Sequence, residues 1–391
     1  LDSVSLPAAD WTNREDLATL VTALGSHNMR WVGGAVRDTL LGLPVKDIDV
    51  ATKLHPDTVM KRLAEADIRA IPTGIEHGTV TAVLPMGNVE ITTLRKDVAT
   101  DGRRATIAFA EEWRDDAARR DFTINAMFTH PVTLEISDYF DGLADLVIPR
   151  VRFIGDARER IREDHLRILR YYRFQARLGA ALDEAAEDAC AQLAPMLKGL
   201  SRERIAMELL AILALPDPHA TLARMQEKGV LPVILPEAGE SGLASLENLL
   251  KAEEKQDAAP SAIRRLAALL PPDRHVAEQI AARLRLSGSQ RKHLMRLATR
   301  SSVPDDPHAL AYREGMIIAR DLLLLKSLSS DLIESWQIPE FPLKGGEIVA
   351  REVGAGPEVA RILRMVEDRW IAEGFPDRNR VAQMLDDALK P

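Results

Sequence analysis

A chain of 391 residues, 46% hydrophobic and 28% charged, has room for two or three domains and the composition of a globular protein. No apolar run approaches the roughly 18–20 residues that cross a bilayer, no basic-then-apolar leader opens the chain, and the missing initiator Met suggests trimming. One cysteine, Cys190, excludes an internal disulfide framework and a cysteine-rich zinc site, so the expectation is a cytoplasmic enzyme or binding protein with no membrane partner.

Over the first 150 residues short extended runs alternate with helical ones. Residues 29–32 predict a strand that runs into Gly33-Gly34 and then a helix to about Leu41. Residues 46–51 predict a strand by strict alternation. Residues 79–84 and 88–94 are β-rich runs separated by Pro85-Met86-Gly87, which suits a hairpin, and residues 132–137 predict a further strand. Beyond about residue 150 apolar residues recur at three- and four-residue spacings, as in Leu166, Leu169, Tyr172 and Ala176, or Ile205, Leu209 and Ile212. Breaks fall at Pro216–Pro218, Pro271–Pro272, Pro304–Pro307 and Pro339–Pro342. The predicted class is α+β: a mixed α/β head over residues 1–150, a helical neck over 151–215, and a helical body and tail over 216–391.

The net charge of −8 argues against a nucleic-acid partner only if charge is spread evenly. It is not. Between Arg150 and Arg177 nine arginines face four acids, and a second cluster comprises Arg283, Arg285, Arg291, Lys292, Arg296 and Arg300. Such runs are usually solvated helix faces; two local basic stripes are also compatible with RNA.

Two segments carry chemistry. In Trp31-Val32-Gly33-Gly34-Ala35-Val36-Arg37-Asp38 the glycines let backbone approach a ligand, the helix start offers N–H groups to a phosphate, and Arg37 lies one turn in. In Lys46-Asp47-Ile48-Asp49-Val50 the strand period sets Asp47 and Asp49 on one face while Ile48 and Val50 face the core. Adjacent carboxylates repel, and a divalent cation removes that penalty. Either segment alone describes a tight turn or a solvated strand; their succession points to a metal-assisted phosphate site.

The run Gly33-Gly34-Ala35-Val36-Arg37-Asp38-Thr39-Leu40-Leu41-Gly42, followed by Asp47-Ile48-Asp49-Val50-Ala51-Thr52, closely resembles the first motif of class II tRNA nucleotidyltransferases. That family comprises CCA-adding enzymes and bacterial poly(A) polymerases, with a head of DNA polymerase β type. The resemblance implies that Asp47 and Asp49 bind Mg²⁺, or Mn²⁺ in its place, and that Gly33, Gly34 and Arg37 contact the incoming nucleotide. Glu90, on the neighbouring hairpin strand, is a third candidate acid. Arg119-Arg120-Asp121-Phe122-Thr123-Ile124-Asn125-Ala126 resembles the second motif, with Arg120 reaching phosphate or ribose and Asp121 accepting from ribose hydroxyls. The charged stretch between Arg95 and Asp116 resembles the family's flexible loop. Residues 138–146 resemble the third motif, in which Gly142 and Asp145 read as hinge and cap.

Arg162-Glu163-Asp164-His165-Leu166-Arg167-Ile168-Leu169-Arg170-Tyr171-Tyr172-Arg173-Phe174 resembles the fourth motif, which stands in for a template. On a helix Asp164 and Arg167 project together. A carboxylate accepts and a guanidinium donates, which suits the pairing edges of C and A and leaves U and G unpaired. Arg170 and Arg173 continue at three-residue steps, so on one straight helix Arg173 points nearly opposite Asp164. Both are candidate nucleotide contacts. Ser201 through Ile205 resembles a fifth motif, a Ser-capped helix start.

The resemblance implies attack by the 3′-hydroxyl of a tRNA on the α-phosphate of CTP or ATP, releasing pyrophosphate, with the helical body gripping the acceptor arm. A poly(A) polymerase or an A-only enzyme would share the same head. A catalytically inactive RNA-binding protein is the rival of a different class, against which Asp47 and Asp49 argue.

Overall fold

The computed structural model describes residues 4–101, 104–302, 304 and 306–390. The chain divides into two compact units, Leu1–Glu208 with Ala223–Ile234, and Leu209–Leu222 with Leu235–Pro391.

Among the described residues the first unit has nine strands: β1 (Met29–Val32), β2 (Ile48–Thr52), β3 (Arg69–Gly74), β4 (Thr79–Val83), β5 (Val89–Thr93), β6 (Arg95–Asp101), β7 (Arg104–Phe109), β8 (Phe128–Thr129) and β9 (Ile136–Ser137). Seven of them form a sheet in the order β3-β4-β5-β2-β1-β8-β9, in which only β2 and β5 run parallel. The pleat explains its two faces. Ile48 and Val50 of β2, with Val89 and Ile91 of β5, share one core with helices α1 (Glu15–Leu24), α2 (Gly34–Leu40) and α3 (Pro56–Glu65). Ala51 faces the other way, into a cluster with Trp113 and Ala117 of α4 (Trp113–Ala118), and with Phe128.

The expected 79–84/88–94 hairpin is β4–β5. The strand expected over 46–51 begins only at Ile48, so Asp47 precedes it, and the one expected over 132–137 shrinks to β9. The stretch from Arg95 to Asp116 is not a loop: β6 and β7 pair antiparallel and α4 follows, while Gly102 and Arg103 lie outside the described residues. The two strands form a ribbon of their own outside the main sheet.

Helices then take over: α5 (Gly142–Val147), α6 (Ala157–Glu163), α7 (Arg167–Leu178), α8 (Glu184–Leu193) and α9 (Arg202–Leu213). The side chain expected to cap α5, Asp145, is instead a buried acceptor for Thr123 Oγ1 and Arg152 Nε; Asp138 takes the amides of Gly142 and Leu143. Gly142 is required for close approach, since a Cβ there would collide with the Thr123 carbonyl. Ser201 accepts from the Arg204 amide at 3.4 Å, as its cap role predicts. Helix α7 buries Ile168, Leu169, Tyr171, Tyr172 and Phe174, and Phe122 sits between Phe153 and Phe174 at ring distances of 4.9 and 5.6 Å.

The second unit is helical. After α10 (His219–Glu227) and α11 (Leu231–Ile234), of which residues 223–234 belong to the first unit, come α12 (Gly239–Lys255), α13 (Ala262–Leu269), α14 (Arg274–Arg283), α15 (Gly288–Leu297), α16 (Pro307–Glu314) and α17 (Met316–Leu325), with four more helices among the described residues to Ala388. Buried Arg264 and Arg265 share Glu253, and Arg264 also reaches Asp321. Among the described residues no helix is long and apolar enough to cross a membrane.

Candidate active site

Where β1 ends and β2 begins, Val32 lies opposite Asp49, and Asp49 lies opposite Glu90 on β5. Because Ile48 and Val50 are buried, Asp49 is turned to the face shared with α4. Gly33 makes the turn from β1 into α2 with φ 73° and ψ −126°, a backbone region that favours glycine. A Cβ at Gly33 would sit 3.7 Å from Arg120 Nη1 and 4.0 Å from Asp49 Oδ2. Turn, carboxylate and guanidinium therefore surround one spot.

Arg120 reaches that spot because it is held from behind. Its Nε and Nη2 donate to Asp116 at 3.2 and 2.9 Å, and its guanidinium lies over the Phe128 ring at 5.2 Å. Its Nη1 has no acceptor among the described residues. Asp116 is 1% exposed and also accepts from Arg119 Nε and the Arg95 amide. Burial would raise its pKa, but Arg120 and Arg119 overcome that and hold it below the usual carboxylate range. Asp116 was not singled out from sequence; its signal is an acid three and four residues before Arg119 and Arg120.

Burial and then Glu90 push the Asp49 carboxyl up to about 6, with Asp47 adding to the effect and Arg120 opposing it. Three carboxylates against one guanidinium leave negative charge that a divalent cation would neutralise. Among the described residues no three His, Cys, Asp or Glu side chains converge to hold an ion unaided. The donor set fits Mg²⁺, which commonly takes one or two carboxylates and completes its shell with phosphate and water.

The other predicted residues are placed differently. Arg37 is 4% exposed; it donates from Nε to Asp38 at 2.8 Å and from Nη1 to Asn125, and stacks on Phe174 at 4.8 Å. The expected phosphate clamp thus ties α2 to the segment before β8 and to α7, although its Nη2 stays 3.8 Å from where a Gly34 Cβ would lie. Asp121 is buried and accepts from Arg170 Nε at 2.7 Å and from Asn125 at 3.1 Å, so it faces α7 and not an open ribose site. Burial alone would raise it; Arg170, with Asn125 and Arg167, outweighs that and lowers it.

Asp164 and Arg167 do not project from one helix. The helix breaks at Asp164, the residue after α6, and α7 starts at Arg167. Asp164 pairs with Arg204 at 2.7 Å, while Arg167 pairs with Glu163 at 2.6 Å and donates to the carbonyls of Arg160 and Arg119. The break also corrects the geometry expected for Arg173. Arg170, Arg173 and Arg177 form one stripe along α7, bonded to Asp121, Glu208 and Asp38 at 2.5, 2.6 and 3.0 Å. Asn125, Glu208 and Arg204 were missed because each acts across a long sequence separation.

The mixed sheet, its clustered carboxylates and the helices behind it define a nucleotidyltransferase with a head of DNA polymerase β type. Residues 29–152 match the family described as "Poly A polymerase head domain", and residues 179–240 match "Probable RNA and SrmB- binding site of polymerase A". The chain belongs to the family of tRNA nucleotidyltransferases and poly(A) polymerases. It is 36% identical over 380 residues to "CCA tRNA nucleotidyltransferase 1, mitochondrial" of Mus musculus, covering 91% of this chain and 86% of the relative. It is 42% identical over 199 residues to a CCA-adding enzyme of Streptococcus pneumoniae, covering 50% and 49%. The Bacillus stearothermophilus CCA-adding enzyme, solved in complex with CTP, superposes with a TM-score of 0.73 at 25% identity, covering 95% of this chain and 97% of that one.

Proposed function

We propose that this protein is a template-independent enzyme that adds C and A to the 3′ end of tRNA, using CTP and ATP and releasing pyrophosphate. The observation that supports it most is the meeting of Gly33, Asp49, Glu90 and the open Nη1 of Arg120 at one sheet end. Asp47 and Asp49 would hold Mg²⁺ or Mn²⁺, which when bound eases loss of the 3′-hydroxyl proton and neutralises charge on the transferred phosphoryl group. Gly33 and Gly34 leave room for the triphosphate, and Arg120 supplies a fixed N–H donor to it without having to reorganise. The arginine stripe of α7 holds the nucleotide-facing segments in place, and Asp164 with Arg167 reads the base once released from their present partners. Residues 1–150 act as the catalytic head, 151–215 as the selecting neck and 216–391 as the tRNA-binding body, whose grip on phosphates weakens with salt.

Relatives named CCA-adding favour this over poly(A) or A-only addition. The mouse relative's name places that protein in mitochondria. The test is incubation with tRNA lacking CCA and with CTP and ATP singly and together. Two C and one A followed by a stop is the expected product, and a long A tail refutes it.

A further inference from the structure

The second unit contains an open cavity of about 840 Å³ that none of the chemistry above uses. One wall is apolar, formed by Met295 of α15 with Met316 and Ile317 of α17, and Ile317 is 75% exposed. Three cations stand around it: Arg274, Lys292 and Arg296. Arg296 is paired with Glu314 at 3.0 Å, whereas Arg274 and Lys292 have no carboxylate partner among the described residues. Arg274 opens α14, where a cation meets the positive end of the helix dipole, so helix stability does not account for it. Helix α17 starts on Gly315 with no side-chain cap, leaving its first amides available to an anion on the same cavity.

The basic cluster from Arg283 to Arg300 resolves around this feature. Arg283 is bound by Glu237 and Arg291 by Glu278, and Arg300 donates to the Leu270 carbonyl. Lys292 lines the cavity with no carboxylate partner among the described residues. An inorganic anion would satisfy the cations and leave the apolar wall wet; a nucleotide covers both, its phosphate on the cations and its base on thioether and aliphatic carbon.

We propose that this cavity seats one nucleotide unit of a bound RNA strand, its backbone phosphate between Arg274, Lys292 and the start of α17, and its base or ribose against Met295, Met316 and Ile317. The inference rests on the reading that tRNA is the substrate, and it adds a specific contact in the second unit.

The test uses the full chain with tRNA lacking CCA, with binding followed by filter retention across a salt series. Arg274→Glu/Lys292→Glu should weaken binding at least about tenfold and make the plot of log affinity against log salt shallower by about 1–2, the loss of one or two phosphate contacts. Ile317→Glu, at an exposed position, should weaken binding without disturbing the core, and Lys251→Glu, elsewhere in the unit, should leave affinity unchanged. Unchanged affinity and slope in the double variant and in Ile317→Glu overturn the inference. Equilibrium dialysis with AMP distinguishes the other source of the same chemistry: AMP binding lost in the double variant with tRNA affinity intact assigns the cavity to free nucleotide and also overturns it. Incorporation of C and A by the wild-type chain is read separately. Its absence refutes the catalytic reading of the head, while the affinity and slope judge the cavity.

Discussion

Asp164 accepts from Arg204, forty residues on, at 2.7 Å, and its side chain makes no pair with Arg167, three residues on across the helix break. The Arg204 side chain is 45% exposed, so the pair contributes at most about 1 kcal/mol. An amino group on a base can replace it at small cost. Asp164→Ala should lower kcat/KM for CTP and ATP by about 100-fold and narrow the preference over UTP and GTP, since one hydrogen-bonding edge of the selecting pair is gone. Arg204→Ala should shift KM less than about fivefold and stability less than about 1 kcal/mol. Incorporation of each of the four nucleotides by both variants checks this. Equal losses would show that Asp164 serves only the ion pair.

Asp49 illustrates a site that works against its own fold. Its carboxylate is largely buried beside Glu90 and Asp47, with Arg120 as the opposing charge. Asp49→Asn removes the charge that burial and repulsion penalise. The metal-free variant should therefore be more stable than the wild type by about 1–2 kcal/mol at pH 7, and its incorporation of CTP should fall below detection. Mg²⁺ should raise the melting temperature of the wild type and not of the variant. Thermal melts with and without Mg²⁺ decide it; a destabilised variant would mean that Asp49 is held by contacts and not strained by charge.

The strands that carry this site were legible because one buried face imposes alternation. Ile48 and Val50 announce β2, and Val89 and Ile91 announce β5, so the register that sets Asp49 beside Glu90 follows from local pattern plus one pairing. Gly33 was legible as a turn, and its positive φ confirms why glycine stands there. Partners were not legible. Arg37, Asp121, Arg170 and Arg173 have the residue types of ligand contacts, yet Arg37 is taken by its neighbour Asp38 and by distant Asn125; Asp121 and Arg170 pair with each other, and Arg173 pairs with Glu208. A motif gives the type of chemistry at a position; only the fold decides which charges face solvent. The helix break at Asp164 was hidden for a related reason, since the apolar spacing runs on through Leu166 and Leu169 while the backbone does not.

The Asp121–Arg170 pair makes a prediction about acid. Asp121 is held below its ordinary value of 3.8, because Arg170, aided by Asn125 and Arg167, outweighs burial. A carboxyl depressed in the folded state adds stability that is complete above the unfolded pKa and is lost as pH falls through the folded one. Wild-type stability should thus fall as pH drops below about 4. Asp121→Asn should cost about 2–3 kcal/mol at pH 7, less than a fully buried pair because Arg170 is about a third exposed, and its acid limb should be shallower. Denaturant unfolding at pH 7, 4 and 3 measures both terms. Parallel pH profiles for the two proteins would refute the assignment.

Asp116 tests whether Arg120 matters for its position or only for its charge. With Nε and Nη2 fixed by Asp116, a single direction of the guanidinium remains, aimed at the Gly33 turn beside Asp49. Arg120→Lys keeps the charge and loses the fork, so kcat/KM for CTP should drop by about 10²-fold. Asp116→Asn keeps the shape and loses the charge that holds Arg120, and it should lower kcat/KM by about 10-fold while Arg120 stays in place to contribute. The informative variant is the double one. If Asp116 acts through Arg120, Asp116→Asn adds no further kinetic loss to Arg120→Ala, and the two changes are strongly non-additive in a cycle of kcat/KM values. Additive losses would mean that Asp116 supports the site by another route, through Arg119 or the Arg95 amide that it also binds.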